Sequence, residues 1–187
     1  MGRFRTTHTG YYGKLPARGD FVRAGLPEEF VAPLDLWCRD CLIASRAALG
    51  EGWEAAWMIA PVWHFLLPPG ACGRYAALGV WMPSMDRVGR HYPFMLCALG
   101  ESLGDLEDGA AWLAEAEAAG LDCVIDDAPA DALVARLGAP VADQPVDGAG
   151  WWTTGSEHVT PRRRDSYALF PTPEAGAMLR DTSAAEF

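Results

Sequence analysis

Residues Val62 to Met82, "VWHFLLPPGACGRYAALGVWM", decide how this 187-residue chain folds. Val62–Leu67 is an apolar run of strand length, and Ala76–Met82 is a second. Between them "PPGACG" is rich in proline and glycine, which close strands and turn the chain. So short a connector permits an antiparallel neighbour, whereas a parallel pair needs a crossover of about a dozen residues or more. The two runs are read as neighbouring antiparallel strands.

A third strand, Phe94–Leu99, follows across "PSMDRVGRHYPF", Pro83 to Phe94. That linker sets Asp86, Arg87 and Arg90 between two strongly apolar strands, so it must surface at the end of the sheet. Ser84 or Asp86 can cap local backbone donors, and Gly89 permits a tight turn. Arg87 and Arg90 are three apart and can point the same way, where planar guanidinium forks match a carboxylate or phosphate. Upstream, "GKLPARGDF", Gly13 to Phe21, sets Lys14, Arg18 and Asp20 in a loop of the same character. Two readings stay open. The cations serve a partner, or Asp20 or Asp35 pairs with Arg87 or Arg90 and fastens the N-terminal loop to the sheet, because a buried charge left unpaired is costly.

Further out, residues 1–32 read as a lead-in of loop and short extended pieces. A helix is expected from near Pro33 to a stop at Gly50, with Leu34, Cys38, Cys41, Leu42, Ser45 and Leu49 at helical spacing. Two more helices are expected, at about Glu107–Ala119 ending at Gly120, and about Ala130–Leu137. The acidic, Gly-rich stretch 139–150 reads as an internal linker. "WWTT" and "SYALF" read as late strands, and a last helix is expected over Glu174–Arg180. Trp151 and Trp152, adjacent on a strand, should face opposite sides. There is no internal repeat. The fold class is α+β, a single domain over 1–187 with a mostly antiparallel central sheet and helices packed on it.

Composition narrows the function. Half the residues are hydrophobic, eight are Trp and 21% are charged, a globular balance. Residues 1–100 carry net charge +2 and residues 101–187 carry −12, which argues against a nucleic-acid partner. Arg162–Arg164 reads as a solvated loop. No apolar run reaches the roughly 18 residues of a membrane span, and there is no signal-peptide core, so a cytoplasmic location is expected. Cys38 and Cys41 form a C-x-x-C, yet there is no second ligand pair for a metal, and helical burial is the expected role. No metal or cofactor is expected. An arrangement of Ser84, His91 and Asp86 as a hydrolytic triad is conceivable only in space. No phosphate-cradling loop or paired carboxylates accompany it, so an enzyme is not expected.

The segments "GKLPARGDFVRAGLP", "LDLWCRDCLIASRAALG", "APVWHFLL", "GVWMPSMDRVGRHYPFML" and the late "WW" together resemble the TagF/ImpM family of type VI secretion-associated proteins. The resemblance implies a bacterial cytoplasmic accessory protein, associated with post-translational repression of secretion. It implies a protein partner, a forkhead-associated scaffold acting with a phosphatase and kinase pair. No catalytic residues come with it. The positions that match its motifs are Lys14, Arg18, Asp20, Trp63, Ser84, Asp86, Arg87 and Arg90, the candidates for a partner surface or an ionic cluster. The alternatives are a structural subunit of the secretion apparatus, or a phosphate-handling hydrolase using Ser84, Asp86, Arg87 and Arg90.

Overall fold

The computed structural model describes residues 4–138 and 144–181. Its centre is one seven-stranded antiparallel sheet of β1 (His8–Gly13), β2 (Val22–Ala24), β3 (Trp63–Leu67), β4 (Ala76–Met82), β5 (Phe94–Gly100), β6 (Gly150–Thr153) and β7 (Arg162–Asp165), in the order β2-β1-β5-β4-β3-β6-β7. The expected β3–β4 hairpin is present, with Trp63 opposite Trp81 and Leu67 opposite Ala77. Every residue of β3, β4 and β5 is buried, because helices cover both faces of the sheet. That explains why these strands are written as continuous apolar runs rather than alternating ones.

On one face lie α1 (Glu28–Leu49), α2 (Trp53–Met58) and the 3-10 turn Thr172–Met178, over Trp63, Phe65, Trp81, Met95 and Trp151. On the other lie α3 (Ala110–Ile125) and α4 (Leu133–Leu137), over Leu66, Leu78, Val80, Met82 and Leu96. Seven of the eight tryptophans are buried. Trp37, Trp63 and Trp151 donate their indole N–H to the carbonyls of Phe170, Met178 and Ala168, which ties the late segment 168–178 to the sheet. A buried indole needs such a partner.

Several local readings are corrected. Helix α1 begins at Glu28 and holds Pro33 in its interior, with Glu28 and Glu29 as first-turn acids. Helix α3 passes through Gly120, where a Cβ would come within 2.5 Å of Met82 Cε and 2.8 Å of Leu96 Cδ1. The glycine is there for close approach of helix to sheet, not to end the helix. The second late strand is Arg162–Asp165 rather than "SYALF": its residues alternate half-buried and exposed, as an edge strand does. The last helix is a 3-10 helix over Thr172–Met178. The lead-in 1–32 contributes β1, β2 and the first turn of α1. Of the expected linker, 139–143 lie outside the described residues, while Gln144 and Val146 bond the backbone of Ala110 and Glu107 at the start of α3.

Candidate functional site

Asp86 organises the loop between β4 and β5. Its side chain is 0% exposed, on a loop whose neighbours Arg87 to Arg90 are exposed. One carboxylate oxygen, Oδ1, accepts the amides of Val88 at 3.1 Å and Arg90 at 2.9 Å. The other, Oδ2, accepts Lys14 Nζ at 2.9 Å and Arg90 Nε at 2.6 Å. Gly89, at φ 82°, lets the backbone curl so that these amides converge. Burial alone would raise the carboxyl pKa. The Arg90 amide, the Lys14 ammonium, the Arg90 guanidinium and the Val88 amide outweigh it, and hold Asp86 well below the usual carboxylate range.

The two cationic segments of the sequence are thereby locked together. Ser84 Oγ donates to Lys14 O at 2.7 Å, the Arg87 amide to Arg18 O at 2.9 Å, and Arg90 Nη2 to Gly19 O at 2.7 Å. Trp57 of α2 donates its indole N–H to Ser84 O at 3.0 Å, pinning the loop from below. Lys14, itself buried, also lies 5.1 Å above the Phe21 ring.

Lys14, Ser84, Asp86 and Arg90 thus meet directly, and Arg18 and Arg87 join through the backbone. The fastening exists, but its carboxylate is Asp86, not Asp20 or Asp35. Asp35 instead accepts the hydroxyls of Tyr12 and Tyr92, both at 2.7 Å, and pairs with Arg39. Asp20 is exposed. Trp63 lies in the core at 0% exposure, so it is no part of a surface. The sequence cue that Asp86 was the shared acceptor is its position between Lys14's loop and Arg90, an i, i+4 pair, in a turn closed by Gly89.

Arg87 is the exception in this cluster. Its guanidinium has no ion-pair partner among the described residues, and its Nη2 stands 3.2 Å from the point where a Gly19 Cβ would sit. A larger residue at 19 would push into it.

The hydrolytic arrangement does not assemble. Ser84 Oγ is committed to Lys14 O, and Asp86 to its four donors. His91 sits edge-on against the rings of Trp53 and Trp57 at 5.1 and 6.1 Å, where burial lowers its pKa. The thiols of Cys38 and Cys41 are free and buried; burial raises both, Cys41 to about 12, opposite to what a reactive thiol needs. Among the described residues no group of His, Cys, Asp and Glu is placed to hold a metal.

Away from these loops a cleft of about 500 Å³ opens between α3 and strands β6 and β7. Its floor is a cross-strand row of His64, Trp152 and Arg163, with the Trp152 ring 5.7 Å from His64 and 5.1 Å from Arg163. His64 Nε2 and Glu117 Oε2 are 2.6 Å apart, a contact that lowers the Glu117 pKa. His64 stacks on the half-buried Trp152 ring and the Arg163 guanidinium lies over it, so the ring is already engaged within the fold. The sequence placed Trp151 and Trp152 on opposite sides of a strand, but carried no sign of which would lie deeper or of the contact between His64 and Glu117 of α3.

The fold has a counterpart of known structure. The crystal structure of PA0076 from Pseudomonas aeruginosa PAO1 matches with a TM-score of 0.77 at 28% sequence identity, over 96% of this chain and 97% of that one. No curated protein matches the chain. Among the described residues no helix is long and apolar enough to cross a membrane. The family model for the TagF N-terminal domain, type VI secretion system-associated, matches residues 10–139, a span that includes both interlocked loops, most of β1 and the whole of β2 to β5. The chain belongs to that family, and is a type VI secretion-associated protein.

Proposed function

We propose that this protein is a cytoplasmic, post-translational repressor of type VI secretion that acts by binding rather than by chemistry. Its partner in this reading is the forkhead-associated scaffold of the phosphatase and kinase pathway. The observation that carries the reading is Arg87: an exposed guanidinium with no ion-pair partner among the described residues, on a loop held rigid by a buried carboxylate. Preorganisation of this kind lowers the entropy lost on association. Family membership supports a role in secretion, and the commitment of Ser84 and Asp86 to the fold supports recognition over hydrolysis.

The test is a calorimetric titration of the purified chain against the scaffold protein, with wild type and Arg87→Ala. Saturable binding that weakens in the still-folded variant is the expected result. Absence of binding by the wild type would rule out the direct scaffold contact.

A further inference from the structure

The interlocked loops form one wall of a groove of about 240 Å³. Pro16 comes from the first loop, Pro83 and Met85 from the second, Met58 from the end of α2, and Val124 and Ile125 from the end of α3. Met58 is 57% exposed and Ile125 69%, so large apolar side chains stand open to water around a concavity. Scattered exposed hydrophobes are ordinary, but a set gathered around one groove from four separate elements marks an interaction site.

Charge around the groove is unequal. The loop that lines the groove with Pro83 and Met85 runs on to the exposed Arg87 and Arg90, and Lys14, Asp86, Arg87 and Arg90 together carry one negative charge against three positive ones, in a chain of net charge −10. Asp86 is consumed inside the cluster, and Arg18 is spent on Asp131 at 3.5 Å. Arg90 Nη2 bonds Gly19 O and Arg87 Nη2 stands 3.2 Å from where a Gly19 Cβ would sit, so both side chains come to Gly19, with the exposed Asp20 next along the chain. On the α3 side the chain runs on from Ile125 to the exposed Asp126 and Asp127.

From this geometry we infer that the groove between the interlocked loops and the end of α3 is a docking site for an amphipathic segment of a protein partner, acidic at its loop-facing end. Its apolar side chains fill the space between Met58, Met85 and Ile125. Its carboxylates reach Arg87, whose fork can bind them bidentately, while Arg90 stays engaged with Asp86 and Gly19 O. The acids after α3 reject the opposite orientation. This inference rests on the proposed binding role and names the chemistry of the partner.

The probe is a fluorescein-labelled peptide with leucines at helical spacing and glutamates at one end only; its control carries lysines in place of the glutamates. Fluorescence anisotropy with the full chain should show salt-sensitive binding of the acidic peptide, and about tenfold weaker binding of the control. Ile125→Asp and Met58→Asp, at exposed positions, should each reduce affinity at least about tenfold with unchanged melting temperature. Equal binding of both peptides, or binding indifferent to Ile125→Asp, overturns the inference. So does a wild-type dimer in sedimentation that Ile125→Asp dissolves, which would make a second copy the occupant. Secretion assays separate the two levels. Repression lost with Arg87→Ala but kept with Ile125→Asp and Met58→Asp would sink the groove alone, and repression indifferent to all three would sink the binding role as well.

Discussion

Lys14 and Asp86 stand 72 positions apart in the chain and meet at 2.9 Å, with side-chain exposures of 9% and 0%. This contact joins the N-terminal loop to the β4–β5 loop and leaves Arg87 displayed on the outside.

Breaking the pair from the carboxylate side strands a buried ammonium. Asp86→Ala is expected to cost about 3–5 kcal/mol, the range for removing one partner of a buried ion pair. For a domain of this size that lowers the melting temperature by roughly 10 °C. Lys14→Met should cost less, since Asp86 keeps Arg90 and two amides. Scanning calorimetry on both, and on the double variant Lys14→Met/Asp86→Leu, gives the coupling; a strictly additive double variant would contradict the contact.

Acid should weaken the same joint. The folded-state pKa of Asp86 is depressed, so its contribution is fully present above the unfolded value, near 3.9, and is lost as pH falls through the folded one. Thermal unfolding followed from pH 6 down to pH 2 should show a decline beginning below about pH 4, with a shallower slope in Asp86→Asn. An Asn variant as acid-sensitive as the wild type would remove Asp86 from the account.

The two arginines of the loop should separate. Arg90 donates to Asp86 and to Gly19 O, while Arg87 has no ion-pair partner among the described residues. Arg90→Ala should lower stability by about 1–2 kcal/mol, and Arg87→Ala should leave it within about 0.5 kcal/mol. Chemical denaturation measures both. Equal losses would place Arg87 in the fastening.

Gly10 is read as a packing position. A Cβ there would lie 2.0 Å from the Ala24 carbonyl oxygen, a backbone atom that cannot move without parting β1 from β2. Gly10→Ala should cost about 1–3 kcal/mol and speed amide exchange in β2. Unchanged exchange at Val22–Ala24 would count against it.

Much of the architecture was written locally. The continuous apolar runs of β3, β4 and β5, broken by Pro and Gly, specify strands and the β3–β4 turn without help from distant residues. So do the spacing from Leu34 to Leu49 and the stop at Gly50. These are properties of neighbours in sequence, where periodicity and turn chemistry act. The charged loops were likewise recognisable as special from composition alone.

What the tertiary structure decided is everything that depends on which surfaces meet. Gly120 looked like a helix end and is a contact with Met82 and Leu96. Arg162–Arg164 looked like a loop and is an edge strand, because β6 offers it a partner. Trp63 looked like a surface candidate and lies in the core, since it faces the layer of α1 and the C-terminal turn. Asp86, rather than Asp20 or Asp35, takes Lys14 because the sheet order β1-β5-β4 carries Gly13 and Met82 to the same end, and only there can one carboxylate collect four donors. Propensity acts over a few residues; desolvated charge is assigned by proximity in space, which the chain creates only when it folds.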